Sequence, residues 1–111
     1  MKAKDIRELV HFSEDEPVRR TLYESEHLWY EVVCLQNSQR LGPIGDPDSD
    51  AICAVLAGEV ATQIGKGRTR MKQWDSVLVP AGESLTLANA SDEPSVVLIV
   101  AAPPPEPTVG V

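Results

Sequence analysis

The sequence predicts an all-β sandwich or barrel, in which turns separate short strands. Apolar runs rich in β-branched and aromatic residues recur along the chain, with turn residues about every 8–12 positions. Nine prolines and seven glycines supply these turns, and no repeat of solenoid length is visible. The 111 residues suit one domain, so we expect a single domain over residues 1–111.

The strands are predicted from short apolar runs bounded by Gly, Pro, Asn, Asp and Ser. The run HLWYEVVCL is typical of a strand because it combines aromatic and β-branched residues. The predicted strands are residues 18–25 as an edge strand, 27–35, two strands within 51–65 that meet at Gly58, 68–74, two strands within 74–91 that meet at Pro80-Ala81-Gly82, and 95–102.

Three segments lie outside these strands. Residues 5–12 place apolar side chains at helical spacing, so a short N-terminal helix and a strand both remain open there. Residues 36–50 are predicted as a loop because Gly, Pro, Asn and Asp interrupt them repeatedly. The tail from residue 103 is predicted to be extended, with a PxxP pattern at Pro104 and Pro107.

The formal net charge of −7 argues against nucleic acid and anionic membranes as partners, since both attract clustered Lys and Arg. The one basic cluster, GKGRTR at residues 65–70, is expected to be a solvated hairpin. Neither a signal peptide nor an apolar run of membrane-spanning length is recognisable, so we expect a cytoplasmic protein.

Two motifs give the sequence a family resemblance. PAGESLTLAN, residues 80–89, resembles the second motif of the cupins and keeps its Pro80, Gly82 and Asn89. VLAGE, at the end of a segment starting at Ile44, resembles the end of the first motif. The chain is thus similar to small single-domain cupins of the RmlC-like superfamily. This implies a double-stranded β-helix, or jelly-roll barrel, over about residues 28–102, followed by a Pro-rich tail over 103–111.

The same resemblance implies that the family's metal ligands are replaced. The His pair of the first motif falls on Ile44 and Asp46, its Glu on Ala51, and the His of the second motif on Leu85. The chain contains only His11 and His27, so three His ligands from one chain are impossible. We expect neither a metal nor another cofactor.

A pocket inside the barrel is the expected binding site, and Asn89 is expected to supply its polar side chain. Ala51 and Cys53 are small, so either Trp29, Tyr30 or Met71 fills the barrel, or a small apolar cavity remains. The resemblance predicts that the pocket is lined by Ile44, Asp46, Ala51, Cys53, Val55, Leu85, Leu87 and Asn89.

No catalytic residue is predicted. Cys34 and Cys53 lie in apolar runs and are expected to be buried free thiols. A nucleophilic cysteine needs a base, and His27 is the one plausible neighbour. Glu59 and Glu83 fall at corners, where a carboxylate is usually solvated. The run DPDSD, residues 46–50, lacks the Gly and the Glu of a calcium loop.

Three functional hypotheses follow. The first is a metal-free, non-catalytic cupin that forms a homodimer and binds a small apolar or neutral ligand in its barrel. The second is a metal-dependent isomerase or dioxygenase-like enzyme that uses displaced ligands such as His27 and Asp46. The third is a structural or regulatory dimer with a filled barrel. The expected dimer face contains Tyr23, Leu28 and Trp29, because aromatic residues are enriched at interface cores.

Overall fold

The structure of the protein is a computed structural model, and it describes residues 1–105. One short 3-10 helix, Ile6–Leu9, precedes nine strands. The strands are β1 (Val18–Glu24), β2 (Trp29–Leu35), β3 (Arg40–Ile44), β4 (Asp50–Ala57), β5 (Glu59–Ile64), β6 (Gly67–Lys72), β7 (Ser76–Val79), β8 (Leu85–Ala88) and β9 (Ser95–Ala102).

The strands form two antiparallel sheets that pack face to face as a double-stranded β-helix. The five-stranded sheet has the order β1-β2-β9-β4-β7, and the four-stranded sheet has the order β3-β8-β5-β6. The all-β jelly-roll prediction is therefore confirmed, and β1 is an edge strand, as its sequence predicted. The chain crosses repeatedly between the sheets, and these crossings close the barrel.

Gly58 makes the sharp crossing from β4 in one sheet to β5 in the other. Its φ of +78° lies in the left-handed region, which L-residues with a Cβ rarely adopt. A Cβ at this position would also lie 2.6 Å from the carbonyl oxygen of Pro94. Glycine is thus required twice, once for its conformation and once for the close approach of two backbones.

The corner at Pro80–Gly82 carries the chain from β7 to β8 and is attached to residues 46–50, the acidic loop, whose last residue begins β4. The N–H of Gly82 donates to the carbonyl of Asp46 at 3.0 Å, and the N–H of Ala81 donates to Asp50 Oδ1 at 2.9 Å. A turn bond from the N–H of Glu83 to Pro80 O closes the corner at 3.0 Å. The corner and the acidic loop are therefore one hydrogen-bonded unit.

The predicted loop over residues 36–50 is wrong in its middle, where the structure has strand β3. The segment contains Gly42 and Pro43, which argue against a central strand. β3 lies at the edge of the four-stranded sheet, and its pairing with β8 is irregular between Leu41 and Ile44. An edge strand with a bulge tolerates both residues because no further strand needs the missing proline N–H.

Two apolar clusters lie on the two sides of the five-stranded sheet. The first fills the barrel between the sheets and includes Val33, Val55, Met71 and Leu87, all at most 3% exposed. The second lies on the outer face of the sheet, where residues before β1 cover Leu22, Val32, Cys34 and Val96.

The N-terminal segment forms the 3-10 helix rather than a strand. Asp5 caps it, because its carboxylate accepts the N–H of Arg7 at 3.0 Å. Ile6, Leu9 and Val10 pack against the second cluster. This four-residue helix is the only one among residues 1–105, and no helix of this part of the chain could cross a membrane. The predicted PxxP pattern reaches Pro107, which lies outside the described residues.

We expect Gly58→Ala to lower the free energy of unfolding by about 3 kcal/mol or more, since left-handed strain and a backbone clash add. Gly82→Ala is the matched control, because Gly82 has a φ of +87° but no atom within 4 Å of the added Cβ. Its expected cost is about 1 kcal/mol from strain alone. Equal losses in urea unfolding of the two variants would contradict the contact with Pro94.

Candidate functional site

A cavity of about 240 Å³ lies between the two sheets at one end of the barrel. Its walls are mainly apolar side chains from both sheets, and polar groups occupy one end and the rim. The apolar wall comprises Ile44, Ala51, Val79, Leu85, Ile99 and Ala101, the polar end Arg19, Trp29 and Glu31, and the rim with the remaining lining Pro43, Gly45, Asp46, Ser49, Glu83 and Pro105.

The polar end is built around the buried carboxylate of Glu31, which is 3% exposed. Arg19 binds it in a bidentate manner, with Nε donating to Oε1 at 2.8 Å and Nη2 donating to Oε2 at 3.0 Å. Trp29 Nε1 donates to Oε2 at 2.6 Å. Alternation along β2 puts Trp29 and Glu31 on the same face, and the neighbouring strand β1 supplies Arg19.

This network is not among the sequence-based predictions, although β2 carries a signal for it. Glu31 shares a strand face with Val33 and Leu35 in a run predicted to be buried. A carboxylate on such a face is rarely buried without a cationic partner. Two arginines stand in the preceding strand, and the antiparallel pairing brings one of them, Arg19, into reach.

The structure brings four of the predicted pocket residues together on the cavity. Ile44 and Asp46 reach it from the end of β3 and the loop that follows, Ala51 from β4, and Leu85 from β8. These are the positions at which the family resemblance predicts the metal ligands of the cupin motifs. Three of them carry hydrocarbon side chains without a donor atom.

Three other predicted pocket residues lie in the closed core instead. Cys53, Val55 and Leu87 are completely buried and belong to the cluster between the sheets. They point inward as predicted, but they stand further along β4 and β8, where side chains from the two sheets meet. Met71, one of the residues considered as filling the barrel, packs in this region. The cavity is therefore confined to the end of the barrel.

Asn89 is buried and inward, but its role in the structure is to hold loops. Its Nδ2 donates to the carbonyls of Leu35 at 3.0 Å and Glu93 at 2.8 Å. Its Oδ1 accepts the N–H and the Oγ–H of Ser91 at 3.0 and 2.9 Å. These bonds engage both side-chain atoms and leave Asn89 no part in the cavity lining, in contrast to the prediction that it supplies the polar side chain of the pocket.

The two cysteines are buried free thiols, as predicted. Burial raises the pKa of Cys53 to about 12. Burial also raises the pKa of Cys34, and its effect exceeds the opposing effects of the His11 backbone and the Arg20 charge. Because the thiolate is the nucleophile, neither side chain is activated for covalent chemistry.

The remaining titratable candidates do not converge on one point. His11 and His27 are exposed, and Glu59 contacts Arg70 on the surface at 3.7 Å. Within residues 1–105, no three side chains of His, Cys, Asp or Glu lie close enough together to hold a metal ion. In the acidic loop, Asp46 Oδ1 accepts the N–H of Asp48 at 2.8 Å, which is an Asx-type turn.

Two residues of the predicted dimer face make contacts within the chain, while the third, Leu28, is exposed. The indole of Trp29 faces the cavity, and Tyr23 lies beneath Lys4, whose Nζ is 5.0 Å from the ring centre. The homodimer remains a prediction. The outer face of the five-stranded sheet instead exposes Ile52 and Leu78, which are paired neighbours on β4 and β7.

A family model described as "Cupin domain" matches residues 31–101. The chain belongs to the cupin family. The resemblance drawn from PAGESLTLAN and VLAGE is thereby confirmed. No curated protein matches the sequence.

Solved structures show the same fold. TT1209 from Thermus thermophilus is 26% identical, with a TM-score of 0.90 over 95% of this cupin and 100% of that chain. An uncharacterized Klebsiella pneumoniae protein with a double-stranded β-helix domain is 24% identical, with a TM-score of 0.86 over 93% and 90% of the two chains. An RmlC-like cupin from Desulfovibrio desulfuricans is 22% identical, with a TM-score of 0.80 over 94% and 98%.

We expect Arg19→Met to lower the free energy of unfolding by about 2 kcal/mol, because it leaves the Glu31 carboxylate buried with only the Trp29 donor. This loss of free energy of unfolding is smaller than for a fully buried ion pair, because the Arg19 side chain is 44% exposed. Arg20→Met, on the exposed next residue of β1, should change it by less than about 0.5 kcal/mol. Adding Glu31→Gln to Arg19→Met should recover part of the loss in urea unfolding. An additive double variant would contradict the pairing.

Both thiols should resist a soluble disulfide reagent such as DTNB in the native protein at neutral pH and react in full after unfolding in guanidinium. The raised pKa values leave the thiolate fraction very small, and burial excludes the reagent. Because a raised acid pKa favours the protonated folded state, stability should fall as the pH rises above the ordinary thiol value of 9.0. Rapid native labelling at either position would contradict the closed core.

Proposed function

We propose that this cupin is a metal-free binding protein that holds a small, neutral, largely apolar molecule in its barrel cavity and does not transform it. The observation that supports the proposal is the combination of hydrocarbon walls with one polar end on the same cavity. Pockets for small molecules are typically apolar, with few polar groups that orient the ligand.

The size of the cavity supports a small ligand. Its volume is about 240 Å³. An engineered apolar cavity of roughly 150 Å³ holds benzene, and drug-sized ligands occupy roughly 300 Å³ or more. A single substituted ring or a short branched chain fits between these limits. The third hypothesis, a barrel packed solid, has less support than the first because this volume remains open.

The electrostatics of the polar end support a neutral ligand with a hydrogen-bond acceptor. Arg19 and Glu31 neutralise each other within the site. A guanidinium has five N–H donors, and Glu31 accepts two of them in the structure, so donors remain at the cavity. Glu83 at the rim and the net charge of −7 disfavour a carboxylate ligand. A carbonyl or ether oxygen meets these conditions.

The residues at the cavity do not fit the metal that cupin motifs commonly carry. Ile44, Ala51 and Leu85 stand at positions that the family resemblance assigns to His, Glu and His, and their side chains have no ligating atoms. The enzyme hypothesis would depend on His27, which is exposed in the turn between β1 and β2, together with Asp46 on the cavity. Two donors give less than the three that a catalytic site needs.

We expect a neutral ketone such as cyclohexanone to bind in the cavity, with a dissociation constant of roughly a millimolar or tighter. Trp74→Phe removes an exposed tryptophan and leaves Trp29, which lines the cavity, as the one fluorophore of its kind. Saturable change of the Trp29 emission measures binding. Cyclohexanecarboxylate should bind about tenfold more weakly or not at all, because Glu83 and the net charge repel it.

Two variants on β4 provide the control. Ala51→Leu fills the cavity and should abolish the response, while Ala54→Leu places the same side chain on the outward face and should leave it unchanged. Failure of every neutral probe, or equal effects of both variants, would contradict the binding site. Stoichiometric Fe, Mn, Zn or Ni in the purified protein, lost on His27→Ala, would instead support the enzyme hypothesis.

A further inference from the structure

The outer face of the four-stranded sheet carries a second concave surface, on the opposite side of this sheet from the barrel interior. It is an open groove of about 450 Å³. Ala61 and Ala88 form its floor on the two central strands, while Arg40 and Arg70 stand on the edge strands at its sides. We call this surface the arginine groove.

The register of the sheet explains the shape of the arginine groove. Arg40 pairs with Ala88, Ala88 with Ala61, and Ala61 with Arg70, so the four residues form one row across all four strands. Neighbouring strands lie about 4.8 Å apart, which places the two arginine Cα atoms roughly 14 Å apart. Two methyl side chains between two long ones leave a trough about one extended polypeptide wide.

A third arginine and polar side chains continue the trough along the strands. Gln63 pairs with both Arg68 and Thr86, and all three line the groove. Arg68 thus lies on the same side as Arg70, one pleat further along β6. The groove therefore presents three guanidinium groups, two on one wall and one on the other.

The charge of the arginine groove is opposite to that of the chain. The protein has 17 acidic residues against 10 basic ones, yet none of the residues that line the groove is acidic. Among residues 1–105, Arg40 and Arg68 form no ion pair, and Arg70 has only an exposed contact of 3.7 Å with Glu59. The guanidinium groups of Arg40 and Arg68, which have no ion-pair partner among these residues, are therefore well placed for anionic groups of a partner.

We propose that the arginine groove binds an extended acidic segment of a partner polypeptide. Guanidinium groups match the geometry of carboxylates and bind them through two parallel hydrogen bonds. The alanine floor lets a peptide backbone approach the sheet closely, and Gln63 and Thr86 offer hydrogen bonds to it. Arginines on both walls pair with carboxylates that alternate to the two sides of an extended chain.

A polypeptide fits this surface better than a nucleic acid. The groove lining contains no aromatic side chain on which bases could stack. A phosphate backbone extending beyond the groove would also meet a protein with a net charge of −7, which lowers the affinity for a long polyanion. A short acidic segment places its charge only where the three arginines lie.

The test uses a rhodamine-labelled peptide of about eight consecutive Glu residues, whose carboxylates alternate to the two sides when the chain is extended and which is long enough to span the groove. Fluorescence anisotropy at low ionic strength should show binding that weakens as salt is added. The double variant Arg40→Gln/Arg68→Gln should reduce affinity about fivefold or more, as two carboxylate pairs are lost. A peptide with Gln in place of Glu should not bind.

Lys66→Gln/Lys72→Gln is the matched control, since it removes the same number of charges from the β5–β6 hairpin that carries Arg68, but outside the groove lining. The affinity of this variant for the Glu peptide should stay within about twofold of that of the unaltered protein. Equal losses in the two double variants would overturn the proposal, because only the overall charge would then matter. Absence of binding would overturn it too, as would equal or tighter binding of an oligo-dT strand of similar length.

Discussion

Both concave surfaces depend on the register of strand β8. Its side chains alternate, so Leu85 and Leu87 face the barrel while Thr86 and Ala88 face the opposite side of the sheet. A slip of one residue would exchange these two sets. The same four residues thus contribute to a cavity wall, to the core and to the floor of the arginine groove.

The structure fixes this register at both ends of β8. The Pro80–Gly82 corner before the strand is hydrogen-bonded to the acidic loop, and Asn89 after it binds the carbonyls of Leu35 and Glu93. Asn89 is buried, so its polar atoms lose their contacts with water when the chain folds. These hydrogen bonds replace those contacts. The retained residues of the second cupin motif therefore have a structural role that is independent of any metal.

Charged side chains are compensated differently in the cavity and on the arginine groove. Inside the barrel, the Glu31 carboxylate is compensated by Arg19 and Trp29, because a buried charge without partners is strongly unfavourable. On the arginine groove, water solvates the guanidinium groups, and pairing within the chain is not required. A neutral interior and a cationic exterior face are thus compatible with one acidic chain.

The sequence was sufficient to predict the fold, but it predicted only part of the candidate site. Apolar periodicity located eight of the nine strands, and four of the pocket residues predicted from the family resemblance, Ile44, Asp46, Ala51 and Leu85, line the cavity in the structure. Strand β3 was missed because Gly42 and Pro43 are typical of loops, and only its position at a sheet edge makes them acceptable.

The polar end of the cavity and the arginine groove depend on pairing between distant segments. Arg19 meets Glu31 through the β1–β2 register, and Arg40 and Arg70 flank the two alanines only after four strands have assembled. Local patterns do not contain this information. The basic run at residues 65–70 predicts only a solvated hairpin, because Arg40 on the opposite wall of the groove lies far away in the sequence and no local pattern connects the two.

The end of β9 has a practical consequence for work with this protein. Ser49 Oγ donates to the carbonyl of Pro103 at 2.6 Å, and Pro105 lines the cavity, so the chain is held against the barrel mouth as it leaves the sheet. An affinity tag or fluorescent fusion attached directly after Pro105 would be tethered beside the cavity and would hinder the entry of small molecules. Fusion partners are better joined ahead of Met1, which is fully exposed.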